Sequence, residues 1–471
     1  MSTLHLYPAR LSTLCLGLVL ALAAAPAVPT AAEQRLYDPT KTPVVPAPIV
    51  LWGDLEPGPI LGDSSFHRLG TLDPPPVPYW FDLDIQGDYL FTVTGLGFGV
   101  FDVSNPLAPR LLRQSKAKDL LPFWEPSDQN DYLLDLDAPG SGAPGDTSGS
   151  DDMVVITGGD QGFVVLDTRQ KAFPLVHYQD AGGILTNSAY AAKLGERFWA
   201  IAADNTNDGG LQLYDMTAAT SLSRCLENSK AAPSCGVYQG RIGPMLPAAE
   251  VRGAGDFLAV RRFSRNLEIW NVANPQLPVQ RLAGQLAGFT VEIAMWRDAR
   301  TATPRYYLAA IGEVKLWIYD VSCIAAAGAC ALTSPVTLDV PDASSSTAQQ
   351  LQLSFSWNGD RPFLYVGNFN EGIACVPQRE YLVDVSTPAS ARFVQHQPGG
   401  DDYWGWYYTT CPTGFNYMRP MHAKFHASSG YLYRAAYSFL DSHRLVVGST
   451  PAIFSDGFES GTLSAWSATL P

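Results

Sequence analysis

The chain has 471 residues, 46% hydrophobic, 11% aromatic and only 16% charged, a balance that argues against disorder and suits a sheet-rich globular protein with a large core. Its 45 acidic against 31 basic residues give a formal net charge of −14. Such a surface repels nucleic acid and anionic lipid and favours neutral, cationic or metal-bridged partners.

At the N-terminus, Arg10 precedes an apolar run over residues 11–25 and then small residues of the kind a signal peptidase accepts. The run is too short for a membrane span and no stop-transfer charges follow, so residues 1–32 read as a secretory signal with cleavage after Ala32. Cys15 lacks the small residue before it that a lipoprotein signal needs, so no lipid anchor is expected. Residues 33–79 are proline-rich, an extended lead-in in which Ile49-Val-Leu-Trp52 is the segment expected to act as a ring-closing strand.

A repeat begins near residue 80. The segments DYLFTVTGLGFGVFDVSNP from Asp88, DMVVITGGDQGFVVLDTRQ from Asp152 and RFWAIAADNTNDGGLQLYDMT from Arg197 share one grammar. So do DFLAVRRFSRNLEIWNVANP from Asp256, RYYLAAIGEVKLWIYDVS from Arg305 and PFLYVGNFNEGIACVPQREYLVDVSTP from Pro362. Each is an apolar strand, a polar or glycine turn, and a second apolar strand ending at Asp or Asn, which is a β-hairpin. Upstream alternating runs, such as Trp80 to Ile85 and Leu351 to Phe355, add a third strand.

The strand-ending residues are Asp102, Asp167, Asp215, Asn271, Asp320 and Asp384, at spacings of 65, 48, 56, 49 and 64. That is somewhat longer than the roughly 40 to 50 residues of common propeller blades, as loop insertions would make it. Small sheets of this kind cannot bury both faces alone, but bury them against one another when arranged radially. The fold expected over residues 80–450 is therefore all-β, a single β-propeller. A seventh unit at GYLYRAAYSFLDSHRLVV from Gly430 makes seven the preferred blade count, with six and eight as alternatives. An Asp or Asn at a strand end accepts N–H groups just downstream, and a following Pro presets the exit, so these six residues read as structural blade corners rather than a catalytic or calcium set.

The phrases GVFDVSNPLAP, EIWNVANPQLP and YLVDVSTPA resemble the bacterial LVIVD repeat. The resemblance covers most of residues 80–447 and implies an exported β-propeller, without catalytic residues to carry over. The end of the chain, 451–471, resembles a tail with DGFESG and a following Trp-Ser found on exported proteins of gammaproteobacteria, for which sorting or surface attachment is the expectation.

Once Cys15 leaves with the signal, six cysteines remain. In an exported chain they read as three disulfides, most simply Cys225 with Cys235, Cys323 with Cys330 and Cys375 with Cys411, among 15 possible connectivities. No G-x-S-x-G, H-E-x-x-H or Walker loop occurs, and GLGFG at Gly95 lacks dinucleotide spacing. Two stretches are candidate sites. Trp404, Trp406, Tyr407 and Tyr408, in an aromatic connection beside Asp401 and Asp402, offer rings that stack on sugars or cage a cation. His422 and His426, spaced by four, share one face of a strand or helix as a metal pair would, with His443, His396, His177, Asp401 or Asp402 as a further ligand. DNTNDGG from Asp204 matches a calcium loop only in part and reads as a polar hairpin turn.

The functional expectation is a non-catalytic binding or scaffold propeller of the cell envelope or exterior. Its partner would be an envelope protein or a carbohydrate. No cofactor is predicted, a metal ion being the one open option. The alternative is a metal-assisted lyase or hydrolase acting on polysaccharide, with His422 and His426 as ligands and Asp402 as base.

Overall fold

The structure is a computed structural model and describes residues 54–63, 80–94, 97–116, 135–138, 153–158, 162–170, 172–179, 186–206, 209–217, 223–225, 237–341, 349–370, 378–394, 407–408, 420–436 and 439–446. It is a seven-bladed β-propeller of antiparallel four-stranded blades. Blade 1 comprises β2 (Trp80–Gln86), β3 (Tyr89–Thr94), β4 (Gly97–Asp102) and β5 (Arg110–Lys116), in that order from the axis outward. Blade 2 is β6 (Asp135–Asp137), β7 (Met153–Thr157), β8 (Phe163–Asp167) and β9 (Leu175–Gln179). Blade 3 is β10 (Thr186–Leu194), β11 (Arg197–Asp204), β12 (Gly210–Asp215) and β14 (Tyr238–Ile242). Its corner insertion contributes β13 (Ser223–Cys225), which pairs in parallel with β9 of blade 2.

Blade 4 is β15 (Ala248–Ala254), β16 (Phe257–Arg262), β17 (Asn266–Asn271) and β18 (Val279–Gln285), and blade 5 is β19 (Glu292–Asp298), β20 (Arg305–Gly312), β21 (Lys315–Asp320) and β22 (Val336–Asp339). In blade 6, β23 (Gln349–Asn358), β24 (Arg361–Asn370), β25 (Gln378–Asp384) and β26 (Arg392–Phe393) are joined by a two-residue strand, β27 (Tyr407–Tyr408), on β25. Blade 7 is built from β28 (Pro420–His426), β29 (Tyr431–Ala436), β30 (Phe439–Val446) and, as its outermost strand, β1 (Asp54–Asp63) from the start of the chain. The ring is therefore closed by residues just after Ile49 to Trp52, the segment expected to do so, which lies outside the described residues.

Strands such as Tyr89–Thr94 carry apolar side chains on both faces because both faces are covered. Leu90 packs toward blade 7 with Tyr433 and Leu440, whereas Phe91 and Val93 pack toward blade 2 with Val164 and Leu166. The same division recurs around the ring, giving seven buried clusters, one for each junction between neighbouring blades. The first strands β2, β6, β10, β15, β19, β23 and β28 each touch the first strands of both neighbours and line the axis.

Strand alternation sorts the connections between two ends of the ring. The turn after the first strand and the corner after the third share one end, here the corner end. The hairpin after the second strand and the passage to the next blade share the other, the crossing end. Among the described residues no helix is long and apolar enough to cross a membrane.

Candidate functional site

The corner end is built by one local device. In all six strand-ending residues a side-chain oxygen accepts the backbone N–H two positions on: Asp102 from Ser104 at 3.1 Å, Asp167 from Arg169 at 3.0 Å, Asp215 from Thr217 at 3.0 Å. Asn271 accepts from Ala273 at 3.0 Å, Asp320 from Ser322 at 2.9 Å and Asp384 from Ser386 at 2.9 Å. In the Val copies the residue between them turns its own N–H back onto the start of the second strand or the turn before it, as Val103 does to Asp88 and Val272 to Asp256, and Val103, Val272, Val321 and Val385 bury their side chains completely. In the Asn-Pro copies a second turn follows, Asn105 accepting from Leu107 and Asn274 from Gln276, each at 3.2 Å. Arginines then pair with the corner carboxylates, Arg110 with Asp102, Arg197 with Asp215 and Arg361 with Asp384, each at 2.9 Å.

The crossing end of the axis carries the chemistry that is not local. Four inner strands slip register at one level, immediately before Asp82 in β2, Ser188 in β10, Glu250 in β15 and His422 in β28. A bulge bends its strand and re-aims the side chain that follows, and all four of these polar residues are buried.

From there each blade reaches for the next. Asp84 accepts the N–H of Ala138 at 3.2 Å, Asp137 that of Ala191 at 2.7 Å, and Ser188 that of Val251 at 3.3 Å. Glu250 accepts from Ile293 at 3.1 Å, Glu292 from Leu353 at 2.5 Å, and Ser354 from Ala423 at 3.3 Å. His422 of blade 7 completes the circuit on Asp82 of blade 1 through Nδ1. Buried backbone N–H groups need partners, and here side chains of the adjacent blade supply them.

Charges gather at the same level. His422 Nε2 lies 2.9 Å from Glu292 Oε1. Arg252 spans Glu250 at 3.2 Å and Glu292 at 3.5 Å, Arg261 lies 2.9 Å from Glu250, and Lys424 lies 3.6 Å from Asp84. Burial by itself would lower the His422 pKa, but the carboxylates of Asp82 and Glu292 outweigh it and hold the value at about 10. The ring is an imidazolium at neutral pH, both N–H groups donating. Burial pushes the Glu250 carboxyl above its ordinary value, against the pull of Arg252 and Arg261.

The two histidines read as a metal pair stand about 13 Å apart along β28 at ~3.3 Å per residue. His426 ends the strand at the corner side, with Ser429 at 2.8 Å, Ser428 at 3.1 Å and Asp88 at 3.2 Å. His443 is buried on β30. Among the described residues no group of three or more His, Cys, Asp and Glu side chains is arranged to hold a metal ion. In the DNTNDGG turn, Asp204 accepts from Thr206 N–H at 3.0 Å, Thr206 Oγ1 at 2.7 Å and Gln212 at 3.3 Å.

Of the aromatic candidates, Tyr407 and Tyr408 pair by backbone with Arg379 and Gln378 at the crossing end of β25, while Trp404 and Trp406 lie outside the described residues. Cys323 and Cys330 form a disulfide with a Cα–Cα distance of 5.3 Å. Cys225 ends β13, and Cys235, Cys375 and Cys411 lie outside the described residues. Sequence reading missed Asp82, Asp84, Glu250, Arg252 and Glu292. The signal was present: an acid or serine near the start of the first strand in most blades, on the side that the alternation turns to the axis. Searched against protein families and against curated protein sequences, the chain matches none.

Proposed function

We propose that this chain is an exported β-propeller of the LVIVD-repeat type that acts as a non-catalytic binding or scaffold protein in the cell envelope or outside the cell. The observation that carries the reading is the commitment of the axial charges. A general base must be free to take a proton near its operating pH, whereas His422 is held protonated to about pH 10 between Asp82 and Glu292. Glu250 and Glu292 are engaged by arginine or histidine and by backbone N–H of the next blade. These groups tie blades together.

Binding then falls to the aromatic connection Trp404, Trp406, Tyr407 and Tyr408, whose flat rings suit a sugar or a cationic group. The placement of Tyr407 and Tyr408 at the crossing end supports this. Removal of residues 1–32 as a signal and attachment through residues 451–471 complete the proposal.

The test is a glycan array probed with the purified chain and with the Trp404→Ala, Trp406→Ala double variant. Loss of a retained glycan with an unchanged melting temperature supports the reading. Chelator-sensitive release of new sugar ends from a polysaccharide, abolished in His422→Ala, replaces it with the metal-assisted enzyme.

A further inference from the structure

Blade 3 buries a carboxylate at the crossing end that no positive charge answers. Asp204 ends β11 and is 1% exposed. It takes hydrogen bonds from neutral groups alone, the Thr206 N–H and hydroxyl on Oδ1 and the Gln212 amide on Oδ2 at 3.3 Å. Among the described residues no lysine, arginine or histidine pairs with it. Every other buried acid among them has a cation. Asp82 and Glu292 have His422, Asp84 has Lys424, Glu250 has Arg252 and Arg261, and Asp167, Asp298 and Glu380 each have an arginine. A buried charge is ordinarily paired or bound to a metal.

Oxygens without partners stand beside it. Thr186 opens β10 and lies directly across from Asp204 in the β10–β11 register, which puts both side chains on one face with Cβ atoms about 5 Å apart. Thr186 is 1% exposed, and its Oγ1 has no hydrogen-bond partner among the described residues. Asn205, next in the chain, also buries an Oδ1 without a partner. The shared face of Thr186 and Asp204 is turned to blade 2, since Ala200, Ala202 and Tyr214 on it pack with Val155 and Phe163. Gly209 keeps the turn closed: its N–H bonds the Thr206 carbonyl at 2.9 Å, Arg241 donates to its own carbonyl at 3.0 Å, and the Asp204 carbonyl leaves no room there for a Cβ.

An uncompensated carboxylate beside hydroxyl and amide oxygens is the donor set of a hard cation, with no nitrogen or sulfur in it. Oδ2, holding one long hydrogen bond, keeps lone-pair capacity for an ion. Calcium accepts an irregular set of this kind and completes its shell with water, whereas magnesium demands a near-octahedral cage and sheds water reluctantly. The geometry points to a calcium site at the crossing end of blade 3, held by the Asp204 carboxylate, Thr186 Oγ1 and Asn205 Oδ1. One formal charge among the ligands gives it a Kd on the order of 10⁻⁴ to 10⁻³ M, the class used outside cells. The hairpin reading of DNTNDGG holds for Thr206 and Gly209, which close the turn; Asp204 adds a ligand. The site shares no residue with the Trp404 connection and goes beyond that reading.

The test uses the whole purified chain, stripped with chelator and dialysed, with calcium binding followed by titration calorimetry and by melting temperature. Asp204→Asn removes the charge and keeps the turn, as Asn271 does at its own strand end. Thr186→Val removes an oxygen that has no protein partner and keeps the shape. The expected result is saturable binding to wild type with a higher melting temperature in ~10 mM calcium. Binding weakens about tenfold or more in Asp204→Asn and several-fold in Thr186→Val, and the stripped variants melt no lower than stripped wild type. Equal calcium binding in all three chains overturns the site, as does a wild type indifferent to calcium. If Asp204→Asn fails to fold, Thr186→Val decides alone, and unchanged binding in it overturns the site. A gain from sodium chloride at matched ionic strength, abolished in the variants, overturns calcium in favour of a monovalent ion.

Discussion

His422 in the last blade and Asp82 in the first, 340 positions apart in sequence, share a hydrogen bond at the seam of the ring. With Glu292 on the other ring nitrogen at 2.9 Å, one imidazolium joins blades 1, 5 and 7. Removing one member of a buried charged group strands the others without a partner, at a typical cost of about 3–5 kcal/mol. His422→Ala is expected to lose stability on that scale in urea unfolding.

The same group fixes a pH dependence. Its pKa is raised in the folded state to about 10 from an ordinary 6.5, so its contribution is complete below about pH 6.5 and is lost as pH climbs through about 10. Urea midpoints of wild type and His422→Gln are expected to differ most at pH 6 and to converge toward pH 10. A constant difference across that range assigns His422 a packing role only.

At the corners the acid limb is set in the other direction. The Ser104 hydroxyl and N–H and Arg110 hold Asp102 below the ordinary carboxylate range, and at Asp384 hydrogen bonding from Ser386 with Arg361 outweighs burial to the same end. These contributions are present above about pH 4 and are lost as pH falls through the lowered values. Because Asn271 makes the same turn without charge, Asp384→Asn is expected to be mild at pH 7 and to flatten the loss of stability below pH 4. Asp384→Ala is expected to cost about 1–2 kcal/mol at pH 7 by chemical denaturation.

Glu380 and Arg434 are almost fully buried between blades 6 and 7, with Arg434 Nη1 at 3.1 Å from both carboxylate oxygens. Arg434→Met alone is expected to destabilise by about 3–5 kcal/mol, and adding Glu380→Leu to restore most of the loss. Differential scanning calorimetry of the two variants decides it.

The blades were legible because each hairpin is a local object. An apolar strand, a turn and an Asp-ended strand lie within about twenty-five residues, and the corner hydrogen bonds span only two. The closing strand was not. Residues 54–63, DLEPGPILGD, have two prolines, two glycines and two register shifts, between Pro57 and Ile60 and between Ile60 and Gly62, a pattern that an edge strand tolerates and that propensity reads as loop. Ile49 to Trp52 looks more strand-like next to it. The axial circuit was hidden for another reason: Asp84 finds Ala138 and Glu292 finds His422 only after the ring has formed.

Pairing of Asp54 with Val446 also sets a timetable. The strand that completes the last blade is made near the beginning, and its partner near the end. At about 5–20 residues per second on the ribosome, the early strand waits on the order of 20 to 80 seconds. Until then blade 7 lacks its outer edge and the seam between His422 and Asp82 stays open. The circle is completed by contacts of the longest sequence separation among the described residues, the class that folds slowest. It is β1 that stays unpaired for that interval, and whatever guards it has to act from early in synthesis until β30 is made.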